Sequence, residues 1–211
     1  MRHGVVIVLQ GVALFAFIPL VLWLFLVQPL GPGWSLALGV AIIAGHRAVA
    51  APWAARHAAE RCLWCGRPGP AALHVQVASG PRTTAYAACR MDHGLLARRF
   101  FGFVNRRRAA IAAGIFAPLG LLLGGTLLRA VGVDALAHGA NALQFKVIVA
   151  ATVVAVSLAY RASAPADPSR SPFPAHNFFL LGIRNTLWVF RTVGAWWLLA
   201  AAWQLAGLAR R

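Results

Sequence analysis

Three cysteines and one histidine form the most specific chemical pattern in the sequence. Two residues separate Cys62 from Cys65, which directly precedes Gly66. Another 23 residues separate Cys65 from Cys89, and His93 follows four positions after Cys89. Each spacing allows its pair of side chains to bind one metal ion. Three thiolates and an imidazole suit tetrahedral zinc, and they fill all four positions, which leaves none for water. The sequence therefore predicts a structural zinc site rather than a catalytic one.

Other uses of these cysteines fit the sequence less well. Three cysteines cannot all pair, so a secreted disulfide framework is not favoured. Haem attachment requires Cys-x-x-Cys-His, but residue 66 is Gly, and a thioredoxin-like redox pair requires a βαβ context that the sequence lacks. Two alternatives stay open. In the first, His74 replaces His93 as a ligand, although its place in an alternating strand favours a solvent-facing position. In the second, the cysteines are buried free thiols and His93 is an ordinary surface histidine.

The segment between the two ligand pairs predicts a β-hairpin. Residues 73–77 alternate between apolar and polar side chains, which is the pattern of a half-buried strand. Residues 79–81 read Ser-Gly-Pro, a turn sequence, and residues 83–88 return with Thr and Tyr as a second strand. The residues between the ligand pairs therefore fit the zinc hypothesis.

The second ligand pair is expected at the start of a helix. This helix is predicted to begin at Cys89 and to run toward Arg108, with His93 on the same face one turn later. A Cys-x-x-Cys-Gly knuckle, a hairpin and a helix whose first turn supplies two ligands resemble the treble-clef or zinc-ribbon class of small zinc modules. The resemblance covers about residues 61–99, a minority of the chain. A segment of about 50 residues needs a metal as a staple because it cannot build a sufficient apolar core alone.

The composition is typical of a membrane protein. Hydrophobic residues make up 60% of the 211 positions and charged residues 11%, against about 25% charged residues in an ordinary soluble domain. The 20 basic residues outnumber four acidic ones, an excess better suited to orienting a membrane protein than to binding nucleic acid. The predicted fold class is an all-α integral membrane protein with about five transmembrane helices and a small cytoplasmic zinc-ribbon-like insert that contains the hairpin.

Apolar runs that are long enough to cross a bilayer as helices divide the chain into five parts. The parts are a transmembrane hairpin at 1–54 with spans at 5–27 and 34–53, the zinc module and a basic juxtamembrane helix at 55–108, spans three and four at 109–161 around an outer loop at 129–144, a Pro-rich linker at 162–176, and an interfacial helix with a fifth span at 177–211. The fifth span is predicted at residues 192–208. The alternative is that this segment lies at the membrane–water interface, because crossing the membrane would place the final arginines outside, against the positive-inside rule.

Small residues recur in the third predicted span, at Ala113, Ala117, Gly120 and Gly124. This spacing is typical of a helix face that packs closely against a neighbouring helix. The alternative is chance, because the chain is rich in Gly and Ala and such spacings arise without a specific contact.

The distribution of arginine sets the expected orientation. Ten arginines lie within residues 55–108, so the positive-inside rule places this segment and the N-terminus in the cytoplasm, on the inner side of a bacterial inner membrane. Seven arginines are expected to contact anionic lipid head groups of the bilayer or a protein partner: Arg98, Arg99, Arg106, Arg107, Arg108, Arg184 and Arg191. Nucleic acid is disfavoured as a partner because the basic run at 98–108 leads directly into an apolar span.

The sequence contains no recognisable catalytic constellation. A glycine-rich phosphate loop, a Ser-His-Asp set and paired carboxylates are all missing from it. The predicted function is that of a non-catalytic inner-membrane subunit or assembly factor that presents the zinc module to a cytoplasmic protein partner in a membrane complex. The alternative is a membrane enzyme or transporter that holds an anionic lipid or a similar substrate through its arginines.

Overall fold

A computed structural model of the chain describes residues 60–79, 81–130, 138–171 and 181–208, together with six isolated positions between 37 and 48. Its elements, in chain order, are β1 (Leu73–Ser79), β2 (Arg82–Ala88), α1 (Met91–Arg106), α2 (Arg108–Ala130), α3 (His138–Ala159), β3 (Ser169–Arg170) and α4 (Ile183–Leu208). A 3-10 turn, Tyr160–Ala162, directly follows α3. The predicted span at 5–27, and all but six positions of the one at 34–53, lie outside the described residues.

The predicted hairpin is present. Strands β1 and β2 pair antiparallel from Leu73 opposite Ala88 to Ser79 opposite Arg82. Along β1, Val75 and Val77 are buried while His74 and Gln76 are exposed, as the alternating sequence predicts. The hairpin therefore presents one apolar face to the core and one polar face to the outside.

A third strand, which the sequence analysis did not predict, completes a mixed sheet in the order β2-β1-β3. Strand β3 runs parallel to β1, with Ser169 opposite Val77 and Arg170 opposite Ala78. The backbone N–H of Ser171 also donates to the carbonyl oxygen of Ala78 at 2.9 Å. Part of the segment expected to be a Pro-rich linker thus covers the free edge of the hairpin.

The core lies between this sheet and α1. Val75 and Val77 belong to one buried cluster with Ala97, Phe101 and Val104 of α1. The same cluster includes Cys62, Cys65 and Tyr160, together with Ile183 and Leu187 from the first two turns of α4. The sheet, α1 and the start of α4 therefore share a single core.

The remaining helices pack side by side, with α3 in contact with both α2 and α4. A side chain at Gly114 of α2 would collide with Thr152 of α3, and one at Gly194 of α4 would lie 2.6 Å from a methyl group of Val154. A side chain at either glycine would therefore collide with α3. Gly120 and Gly124, from the predicted packing face, have no such neighbour within 4 Å.

The predicted fold class, an all-α protein with about five transmembrane helices, is wrong. In the part of the chain that the structure describes, one stretch, Leu143–Ala162, is long and apolar enough to cross a membrane, and Arg108–Leu122 is a shorter apolar helix. The three-stranded mixed sheet also excludes an all-α class. The last helix, α4, is continuous where an interfacial helix and a separate span were predicted, and polar side chains such as Arg191 and Gln204 interrupt its apolar surface.

Candidate metal centre

The first ligand pair lies in a tight turn before the sheet. The N–H of Cys62 donates to the carbonyl oxygen of Arg67 at 2.9 Å, and the N–H of Gly66 donates to the carbonyl oxygen of Cys62 at 2.8 Å. Gly66 has a φ of 72°, in the left-handed region that favours glycine. A Cβ atom there would also lie 2.5 Å from the carbonyl oxygen of Leu181. The residue after the Cys-x-x-Cys pair must therefore be glycine for two independent reasons.

The second pair spans the junction between β2 and α1. Cys89 directly follows β2, Arg90 caps α1 with an extended backbone, and His93 lies in the first turn of the helix. Cys89 is therefore outside the helix, which corrects the expectation that it begins there. Its Sγ nevertheless lies 3.2 Å from Nδ1 of His93. A bend, rather than one helical turn, brings these two ligands together.

The two pairs meet in one cluster. The Sγ atoms of the three cysteines and a ring nitrogen of His93 all lie within 4.8 Å of one another. Sγ of Cys65 is 3.7 Å from Sγ of Cys89, and Sγ of Cys62 is 3.5 Å from Nδ1 of His93. A tetrahedral ion with metal–sulfur bonds of about 2.3 Å holds its sulfur ligands about 3.8 Å apart. The predicted ligand set is therefore positioned to bind one metal ion.

The choice between His93 and His74 is decided by position. His74 is exposed on β1 and does not join the cluster. Cys62 and Cys65 are buried, with 1% and 4% of their surfaces exposed, while Cys89 and His93 are half-buried. All three cysteines are free thiols, with no disulfide between them. His93, and not His74, is the histidine of the candidate centre.

Cys62 and Cys89 have opposite pKa shifts because different neighbouring groups act on each thiol. Burial raises the pKa of Cys62, but hydrogen bonds from the backbone near Cys65 and Cys89 and from His93 outweigh burial and lower it to about 6. Burial also raises the pKa of Cys89, and the neighbouring Cys62 and Cys65 sulfur atoms raise it further, to about 12. Adjacent thiolates repel one another, and a bound cation removes that repulsion.

The cysteine turn is joined to the start of α4 by backbone hydrogen bonds. The N–H of Ile183 donates to the carbonyl oxygen of Leu63 and the N–H of Arg184 to that of Trp64, both at 2.9 Å. The side-chain amide of Asn185 donates to the carbonyl oxygen of Cys65 at 3.3 Å. The first N–H groups of a helix have no partners within the helix, and here the metal-binding turn supplies them.

The junction between the cysteine turn and α4 has no local signature in the sequence. The turn and the helix lie about 120 positions apart, and no local pattern links them. One signal was available: Gly182 has a φ of 76°, and a Cβ atom there would lie 2.6 Å from the carbonyl carbon of Cys65. A glycine inside a predicted helix can mark a close backbone contact, but it does not identify the partner.

Four of the predicted contact arginines are dispersed along α1 and the start of α2. Arg98 forms an ion pair with Asp167 at 3.6 Å. Arg106 donates to the carbonyl oxygen of Ala164 at 3.3 Å, and Arg107 lies over the ring of Phe103. Arg108, the first residue of α2, is exposed. Arg98 and Arg106 thus hold the segment before β3 against α1.

The other three predicted contact arginines come together. Arg99, Arg184 and Arg191 line one cavity of about 770 Å³ beside the cysteine turn. Arg161, which the sequence analysis did not single out, lines the same cavity. In the sequence, Arg161 directly follows an apolar run, and this position predicted only the end of the fourth span.

Comparisons with protein-family models, with curated proteins and with solved structures gave no match to this chain. The functional evidence is the geometry of the chain itself. Its cluster of Cys62, Cys65, Cys89 and His93 is positioned to bind a metal ion.

Proposed function

We propose that this chain is a non-catalytic protein of the bacterial inner membrane, a subunit or assembly factor, whose structural zinc module presents a rigid cytoplasmic surface to a protein partner. One observation carries the proposal: a closed set of four metal ligands is hydrogen-bonded through its first cysteine turn to the start of the 26-residue helix α4. A metal in this position fixes the module relative to the helix bundle.

Zinc is the metal that this ligand set favours. Thiolate ligands select zinc, copper(I) and iron–sulfur clusters, and a mixed set of thiolates and imidazole in tetrahedral geometry is typical of structural zinc. The knuckle at Cys62 and Cys65, the β1–β2 hairpin and the helix that carries His93 support the treble-clef or zinc-ribbon resemblance.

A structural role follows from the coordination number. A catalytic zinc ion keeps one position open for water or substrate, whereas three cysteines and one histidine complete a tetrahedron. Burial of Cys62 and Cys65 further separates the ion from solvent. The ion would therefore stabilise structure rather than activate water.

The outward faces of the helices support a place in the membrane. Only 22% of the most apolar window of Leu143–Ala162 is buried inside the protein, although a core helix of a soluble protein is mostly buried. Large apolar side chains are exposed along α2, α3 and α4: Phe116, Leu121, Leu158, Trp188, Trp196, Leu199 and Trp203. A surface of this kind requires lipid or another protein to cover it.

The partner surface is assigned to α1. Met91 and Leu95 are exposed to 66% and 48% and lie one turn apart on this helix. Arg99 follows one turn after Leu95, whereas Arg90, before Met91, forms an ion pair with Asp92 at 3.2 Å, so the positive charge beside the apolar pair comes from Arg99. An acidic partner with a small apolar contact suits this surface.

The test uses the full chain at native expression, purified in mild detergent, with mass identification of the proteins that co-purify. We expect a stoichiometric partner with the parent and with His74→Ala, which changes an exposed histidine outside the cluster, and its loss with the zinc-free His93→Ala. Retention of the partner by His93→Ala, or no stoichiometric partner with the parent, overturns the proposal.

A further inference from the structure

A cavity of about 770 Å³ lies between α1, the 3-10 turn, the cysteine turn and α4. Four arginines line it from three different elements: Arg99 of α1, Arg161 of the 3-10 turn, and Arg184 and Arg191 of α4. Among the described residues, no carboxylate lines this cavity. The two ion pairs of the described residues, Arg90–Asp92 and Arg98–Asp167, lie elsewhere. The cavity therefore concentrates positive charge that the described chain does not neutralise.

The arginines differ in how they are held. Arg191 donates from Nε to the hydroxyl oxygen of Ser157 at 3.3 Å and from Nη2 to its carbonyl oxygen. Within the described residues, the guanidinium groups of Arg99, Arg161 and Arg184 make no hydrogen bond or ion pair, and all three side chains are exposed. Three planar donor groups are thus available to one ligand, while Arg191 is fixed by α3.

Aromatic side chains form the other part of the lining. Trp64 and Tyr160 are buried, with ring centroids 5.8 Å apart, and Trp188 is 63% exposed. Tyr160 and Arg161 also lie at the end of the apolar stretch Leu143–Ala162. The cavity therefore offers charged donors and an apolar wall at the point where a hydrophobic helix ends.

We propose that this cavity binds the phosphate group of an organic phosphate. Arg99, Arg161 and Arg184 donate to the phosphate oxygens, since a guanidinium group binds phosphate in a bidentate manner, and Trp188 packs against the apolar part. A phosphate monoester with two charges fits this site better than a zwitterionic head group, because the site holds no carboxylate to balance a cation. The ligand is either a membrane lipid with a terminal phosphate or a soluble organic phosphate. This assignment does not rest on the proposed scaffold function.

The test measures binding to the full-length, zinc-loaded protein in detergent by native mass spectrometry and calorimetry. The probes are dioctanoyl phosphatidic acid, dioctanoyl phosphatidylcholine, glycerol 3-phosphate and inorganic phosphate. We expect phosphatidic acid to bind at least tenfold more tightly than phosphatidylcholine. Equal binding of glycerol 3-phosphate and phosphatidic acid identifies a soluble phosphate as the source, and weak binding of glycerol 3-phosphate identifies a lipid.

Two double variants with the same change in net charge give the matched control. Arg161→Gln with Arg184→Gln alters the cavity, whereas Arg82→Gln with Arg170→Gln alters exposed side chains of β2 and β3. We expect a loss of affinity of at least tenfold for the first and less than twofold for the second. Equal losses would mean that overall charge, not the cavity, binds the ligand.

The proposal is also overturned if none of the phosphate probes binds, or if phosphatidylcholine binds as tightly as phosphatidic acid. Zinc content and circular dichroism of each variant report whether it is folded. If the double variant loses zinc, the single variant Arg99→Gln gives the same comparison, since its side chain also lines the cavity from a different helix.

Discussion

The N–H of Ile183 donates a 2.9 Å hydrogen bond to the carbonyl oxygen of Leu63, the residue next to the first cysteine of the metal centre. Ile183 is the first residue of α4, and its side chain is fully buried in the core that contains the cysteine turn. This bond joins the candidate metal centre to a helix that supplies none of its ligands.

Loss of the metal is expected to release the start of α4. In His93→Ala, amide hydrogen exchange at Ile183 and Arg184 should rise at least tenfold, because their acceptors belong to the cysteine turn. Exchange in the middle of α3, whose hydrogen bonds are internal to the helix, should not change. His74→Ala is the control and should match the parent. Unchanged exchange at both amides in a zinc-free variant would contradict the coupling.

The contact between the cysteine turn and α4 should tolerate no side chain at Gly66. Gly66→Ala combines a left-handed φ of 72° with a Cβ atom 2.5 Å from Leu181, and we expect the free energy of unfolding to fall by about 1–3 kcal/mol. The control Gly120→Ala lies inside a helix with no neighbour within 4 Å and should be neutral or stabilising by up to about 1 kcal/mol. Melting temperatures of the two variants in the same detergent decide the matter. Similar values would show that the close contact is not required.

Metal affinity should rise with pH. With its pKa at about 12, Cys89 holds its proton at pH 7, so a metal ion must displace that proton to bind. Cys62, with a pKa of about 6, is already mostly a thiolate above pH 7 and adds little to the dependence. Between pH 7 and 8 the affinity for zinc should therefore increase at least tenfold.

Competition with a chromophoric chelator at several pH values measures this dependence, and elemental analysis should find one zinc ion per chain. A slope near zero, or less than about 0.2 zinc per chain in purified protein, would contradict the assignment of a tight structural site. His74→Ala should reproduce the slope of the parent, since His74 is outside the cluster.

The orientation of the module can be tested with a new thiol on its surface. Gln76 is exposed on β1, so Gln76→Cys should remain unlabelled by a membrane-impermeant reagent on intact cells and become labelled after permeabilisation. This outcome follows from the ten arginines in residues 55–108 and the positive-inside rule. Rapid labelling on intact cells would place the module on the opposite side of the membrane.

Local spacing predicted most of the candidate centre. The alternation of β1, the Ser-Gly-Pro turn and the ligand pairs are signals that span fewer than ten residues, and the structure contains the corresponding elements. The start of α1 was placed two residues too early, because an i, i+4 spacing is equally compatible with a bend before a helix.

Contacts between distant segments could not be predicted in this way. Strand β3 has two residues, which is too short for any alternation, and its pairing with β1 depends on the whole fold. Arg191 was taken to mark an interfacial segment, but it donates to Ser157 at the end of α3 and so lies within a continuous helix. The sequence alone assigned this arginine to anionic lipid or a protein partner, whereas in the structure Ser157 accepts two of its hydrogen bonds.

The hydrogen bonds between the cysteine turn and α4 also impose an order on biosynthesis. All four metal ligands have been translated once residue 93 is added to the chain, whereas Ile183 follows 90 residues later. At about 5–20 residues per second this interval lasts roughly 5–18 s. During it, the nascent module can acquire its ion while the acceptors at Leu63 and Trp64 are still uncovered. The cysteine turn can thus bind its ion before α4, whose first N–H groups it accepts, has been translated.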